Sequence, residues 1–119
     1  MACDLKLELS ENFALDIIQL YKYLRTTPKE YVISNQILRS GTSIGAQLAE
    51  SVYAESDSDF VHKLSLSLKE ASETCYWLRL LHKSQYIPQY SFAYLYERCE
   101  LIIKVVTAAK VSVLKRIQK

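Results

Sequence analysis

The sequence predicts an all-α protein folded as an antiparallel up-and-down four-helix bundle. Three observations carry that expectation. The 119 residues include only two glycines and two prolines, too few turn formers for a β-sandwich or an α/β fold. Apolar residues recur at spacings of three and four along four long segments, the period of a helix with one buried face. The joints between segments are only a few residues long, which sets consecutive helices antiparallel. One long coiled-coil hairpin is the competing architecture. The length suits a single domain, spanning 1–119, with one core.

The first helix is expected over about 10–26, capped by Ser10, with Phe13, Ile17, Leu20, Tyr21 and Leu24 on its apolar stripe. The second is expected over about 28–54. Its start is Thr27-Pro28-Lys29-Glu30: a capping hydroxyl, a proline at the first helical position and a glutamate three residues after the cap. Ser56-Asp57-Ser58-Asp59 opens the third helix, about 57–84, with acids placed where the helix dipole favours them. Its stripe is Phe60, Leu64, Leu68, Ala71, Cys75, Leu78 and His82. Pro88 breaks the chain, and Ser91 is expected to cap a fourth helix over about 91–117. Phe92, Leu95, Cys99, Ile102, Val106, Ala109, Val113 and Ile117 form the last stripe.

Two helices carry more apolar surface than one core stripe needs. In the second, Ile33, Ile37, Gly41, Ile44, Leu48 and Val52 fill one arc. Leu38, Thr42, Gly45, Ala46, Ala49 and Tyr53 extend it with mostly small side chains. Gly41 and Gly45 each cost about 1 kcal/mol of helix propensity relative to alanine, so another backbone is expected close by. That backbone lies either inside the bundle or across a subunit interface. In the third helix, Leu66, Trp77, Leu80 and Leu81 lie off the stripe. They mark either a wide core contact or a partner surface. A homo-oligomer using Leu38, Gly41, Gly45, Ala49, Leu66, Trp77 and Leu81 is the expectation.

Catalytic chemistry finds no foothold. Paired Glu-x-x-His motifs, which build metal sites in bundles, are absent, and the two glycines lie inside a helix rather than in a phosphate loop. No enzyme activity, cofactor, metal or small-molecule substrate is expected. No stretch is long and apolar enough for a membrane span. The N-terminus lacks a signal-peptide pattern, and Cys3, Cys75 and Cys99 have no metal spacing. A cytoplasmic protein with reduced thiols is the expectation.

The net charge of +2 is too small to imply nucleic acid by itself. Its distribution says more, because Leu101 to Lys119 contains five cations and no acid. Lys104, Lys110, Lys115, Arg116 and Lys119 either complement the last helix's C-terminal dipole or contact phosphates. Nine tyrosines either fill the amphipathic border of the core, the expectation for most of them, or offer stacking groups for single-stranded nucleic acid.

The middle of the chain resembles a known family. The run Glu30-Tyr31-Val32, then Gln36 through Ala46, then Ala49-Glu50, resembles the bacterial 23S ribosomal-RNA intervening-sequence proteins. So do Asp59-Phe60, Lys63, Ser67 through Ala71, Glu73-Thr74, Tyr76-Trp77-Leu78, Leu80-Leu81 and Tyr86-Ile87, with Glu100-Leu101 a looser fit. The family often has asparagine where this chain has Gln47, and glycine or alanine where it has Ser51. The resemblance implies an antiparallel four-helix bundle assembled as a homopentamer. A related group, the accessory variability proteins of diversity-generating retroelements, forms basic pentameric barrels that bind nucleic acid and a reverse transcriptase. The resemblance therefore implies RNA or a nucleoprotein as partner. A protein-interaction adaptor without a nucleic-acid role is the alternative, and a metalloenzyme bundle ranks last.

Overall fold

A computed structural model describes residues 4–118. Four helices, α1 (Leu5–Thr26), α2 (Val32–Ser51), α3 (Asp57–Lys83) and α4 (Gln89–Ile117), form a bundle of 52 × 26 × 21 Å. Each helix packs on its neighbour in sequence, and α4 returns to α1 along the thinnest seam. Diagonal helices do not meet. This ring of neighbours is the up-and-down bundle and excludes the coiled-coil hairpin.

The expected stripes build the core. Phe13, Ile17 and Leu24 of α1 are buried with Ile37, Ile44 and Leu48 of α2, Leu64 and Leu78 of α3, and Ile102 and Val106 of α4. Small hydroxyls fasten α2 to α3 within this apolar setting. Ser67 donates to the Ile44 carbonyl at 3.0 Å, and Thr74 Oγ1 lies 2.8 Å from Ser40 Oγ. Cys75 and Cys99 are buried free thiols that meet between α3 and α4. Cys99 donates to the Ala71 carbonyl at 3.4 Å. The interaction between the two thiols holds Cys75 below the ordinary thiol range and, together with burial, pushes Cys99 well above it. Cys3 lies outside the described residues.

Helix starts depart from expectation at three places. The first helix begins at Leu5, where the Asp4 carboxylate accepts the Lys6 amide at 3.0 Å. Ser10 is instead buried within the helix and donates to the Leu7 carbonyl. The Thr27–Glu30 capping box does not form. Lys29 turns left-handed at φ 59, and the Glu30 amide donates back to the Leu24 carbonyl at 2.8 Å. The Glu30 carboxylate then swings forward and accepts the amides of Val32, Ile33 and Ser34 at 3.1, 3.0 and 2.7 Å. The glutamate, one residue before the N-cap Tyr31, therefore satisfies the first amides of the helix, and α2 starts at Val32 rather than 28. Ser91 lies inside the first turn of α4, because Pro88 already supplies the extended cap residue. The third start agrees with expectation: Ser56 accepts the Asp59 amide at 3.0 Å. The second helix also stops early, at Ser51, and the chain turns through 52–56 into α3.

Glu30→Ala leaves those three amides without their acceptor. The expected loss is about 1–2 kcal/mol of stability, read as a lower denaturation midpoint with an unchanged slope against urea.

Candidate nucleic-acid interface

The glycine face of α2 is occupied within the chain. A Cβ on Gly41 would lie 2.9 Å from Ile17 Cγ2, and one on Gly45 would lie 3.0 Å from Ser10 Oγ. The close neighbour is therefore α1 of the same molecule, the in-bundle alternative, which takes the buried Gly41 out of the expected interface and leaves Gly45 half-buried. Leu81 is also corrected: it is fully buried in the core. Trp77 is half-buried against the core and donates its indole N–H to Glu73 at 2.9 Å. Arg39 of α2 bridges to both Glu70 and Glu73 of α3. The outward remainder of the expected interface is the half-buried Leu38 and Leu66 and the exposed Ala49.

The cations expected to hold phosphate sit in a mixed field. Lys104 and Lys115 are exposed and Lys110 is half-buried. Lys119 lies outside the described residues. The C-terminal part of α4 shares its end of the bundle with the start of α1 and the joint 52–56. That end carries Asp4, Glu8, Glu55, Asp57 and Asp59. Arg116 is engaged by Asp57 at 2.9 Å, and the nearby Lys6–Asp4 and Lys63–Glu50 pairs close at 3.1 Å. Acids this near repel phosphate, which offsets the attraction of the lysines.

The opposite end has a simpler character. It is built by residues 20–35 and 76–96, which bracket the two joints 27–31 and 84–88. These segments hold eight of the nine tyrosines, five cations (Lys22, Arg25, Lys29, Arg79 and Lys83) and a single acid. That acid is Glu30, buried and occupied by three backbone amides. Lys22, Lys29 and Lys83 are exposed. Arg25 lies over the rings of Tyr21 and Tyr31 at 5.2 and 4.9 Å, and Arg79 donates to the Tyr96 hydroxyl at 2.9 Å. Cations and aromatic faces are thus interleaved on these two segments, and the Asp16 carboxylate lies in the adjoining groove.

A groove leads from this end along the thin α1–α4 seam. Its widest part, about 690 Å³, is walled by Leu20, Ile87, Pro88 and Leu95 and rimmed by Tyr23, Tyr90 and Tyr94. Through Tyr23, Ile87 and Pro88 it continues into a depression beside His82 and Tyr86. There the His82 ring stacks on Phe92 at 4.4 Å. Through Asp16 and Tyr94 it continues toward Asn12 and Arg98. Tyr23, Tyr90 and Tyr94 border this seam. Tyr94 reaches across it to donate to Asp16 at 3.3 Å, and Arg98 covers the Tyr94 ring at 4.9 Å.

Among the described residues, no three His, Cys, Asp or Glu side chains gather as a metal site, and no helix is long and apolar enough to cross a membrane.

Against known proteins, the family model described as 23S rRNA-intervening sequence protein matches residues 6–108. The fold is also similar to a solved structure from Bacteroides thetaiotaomicron VPI-5482, described as a protein with unknown function from the S23 ribosomal protein family. The TM-score is 0.88 at 42% sequence identity, covering 89% of this chain and 98% of that one. No curated protein matches.

Proposed function

The chain belongs to the 23S rRNA-intervening sequence protein family, and from that premise we propose a non-catalytic, homo-oligomeric protein that binds RNA through the tyrosine-rich end of its bundle. One observation carries the reading. Eight tyrosines and five cations share that end with one buried, fully occupied acid. Phosphates are attracted by the lysines and arginines, and unpaired bases stack on the exposed rings. The groove along α1 and α4 supplies a track for a single strand. Assembly as a pentamer is the expectation drawn from the resemblance, and light scattering of the purified chain reads it directly.

The adaptor alternative rested on Leu66, Trp77, Leu80 and Leu81. Leu81 is in the core and the other three are half-buried, so little of that apolar surface is left for a partner.

The test is anisotropy of a labelled, unstructured RNA titrated with protein at several salt concentrations. Affinity is expected to fall steeply with salt, with a log–log slope of about −0.7 per neutralised phosphate. Lys22→Glu with Lys83→Glu is expected to weaken binding at least roughly tenfold and to flatten that slope. Lys110→Glu with Lys115→Glu is expected to change it little. The opposite ranking places the site on the last turns of α4.

A further inference from the structure

The widest part of the α1–α4 groove combines apolar walls, three tyrosine rings and one carboxylate. Asp16 accepts the Tyr94 hydroxyl at 3.3 Å through Oδ2 and, among the described residues, has no cation within ion-pair distance. An ionised carboxylate has about four acceptor sites and no donor, so Asp16, which lines the groove, keeps acceptor capacity beyond the Tyr94 hydroxyl. At about 690 Å³ the space lies within the roughly 300–1,000 Å³ typical of clefts for small ligands.

We propose that this cleft seats one unpaired base of the bound RNA and selects guanine. The proposal rests on the RNA-binding reading above and assigns that site its base. Guanine alone presents two adjacent donors, N1–H and the N2 amino group, on its pairing edge, and these match the two oxygens of one carboxylate. Adenine and cytosine each place an acceptor beside their donor, and uracil flanks its single N3–H with two carbonyl oxygens. Each of those acceptors would face the Asp16 oxygens unfavourably. The tyrosine rims offer stacking faces to a base lying on Leu20, Ile87 and Leu95. The same carboxylate repels phosphate, so it orients the strand with the base inward. The backbone is left toward Arg98, which already covers the Tyr94 ring.

The experiment uses the full chain and short labelled oligouridines that carry one central guanosine, adenosine or cytidine, or none. Wild type is expected to bind the guanosine oligomer roughly tenfold tighter than the others, the scale of one good bidentate base contact. Asp16→Asn is expected to abolish that preference while oligouridine binding persists. Asp16 is half-buried on the surface of α1, so the variant is expected to keep the wild-type circular dichroism and melting curve. Equal affinity for all four oligomers, with binding intact, overturns the guanine pocket and leaves the RNA reading standing. A guanosine preference that survives Asp16→Asn places the base reader elsewhere and overturns it too. Absence of binding to every oligomer removes the RNA reading and this proposal together. Amide-exchange protection of 16–23 and 87–95 that rises with protein concentration alone would show a second copy in the cleft and would also overturn it.

Discussion

Gly41→Leu is expected to destabilise the bundle by ~3 kcal/mol or more, lowering the thermal midpoint by on the order of 10 °C. Even a single Cβ at this position meets Ile17 Cγ2 at 2.9 Å and Cγ1 at 3.0 Å. Ile17 is wholly buried, and a β-branched side chain within a helix has essentially one χ1 rotamer. It cannot step aside, so α1 and α2 must separate. Alanine tests the argument at smaller scale. It gains about 1 kcal/mol of helix propensity over glycine, yet Gly41→Ala is expected to lose more than that through the clash. The coupling is local. Combining Gly41→Ala with Ile17→Ala should destabilise less than the two single changes added together, because truncating Ile17 removes the colliding methyl. Additive effects would mean that Ile17 is not the obstacle.

The second large effect concerns binding. Tyr90→Ala with Tyr94→Ala is expected to weaken RNA affinity on the order of 100-fold, about tenfold for each stacking ring removed. Tyr90 is 78% exposed and Tyr94 47% exposed, so neither truncation opens a core cavity and the melting curve should scarcely move. The combination distinguishes a binding role from a packing role. Tyr53→Ala serves as the control, since Tyr53 is 85% exposed but lies on the joint 52–56, at the acidic end.

What was legible in the sequence follows from the range of each signal. Helix number, order and core stripes are periodic and local, so Phe13, Ile17 and Leu24 or Leu95, Cys99 and Ile102 could be placed by spacing alone. The start of α1 could not. Leu5, Leu7 and Leu9 alternate with Lys6 and Glu8, a strand-like period, yet the segment is helical, with Leu7 and Leu9 packed against the core and Leu5 exposed. Thr27-Pro28-Lys29-Glu30 spells a capping box, but the same glutamate can cap from either side of the joint, and the left-handed Lys29 decides which. Leu81 and His82 are neighbours in sequence, and only the position of α4 shows that the leucine points inward while the histidine stacks on Phe92.

The candidate site was legible in its parts but not in its place. The number of tyrosines is plain in the sequence, but border packing and stacking make the same pattern there, and the run of cations in α4 is visible because it is contiguous. The second basic surface is assembled from residues 20–35 and 76–96, which no local window joins. Conversely, Arg116 reads as unopposed in the sequence because its counter-charge, Asp57, is 59 residues away in the chain.

Photo-crosslinking of bound RNA to the full chain, with the attached peptides identified by mass spectrometry, tests the central claim most directly. The account predicts crosslinks on Tyr23, Tyr86, Tyr90 and Tyr94, at the joint end and along the α1–α4 groove. Crosslinks confined to the segment from Lys104 to Arg116 would contradict it.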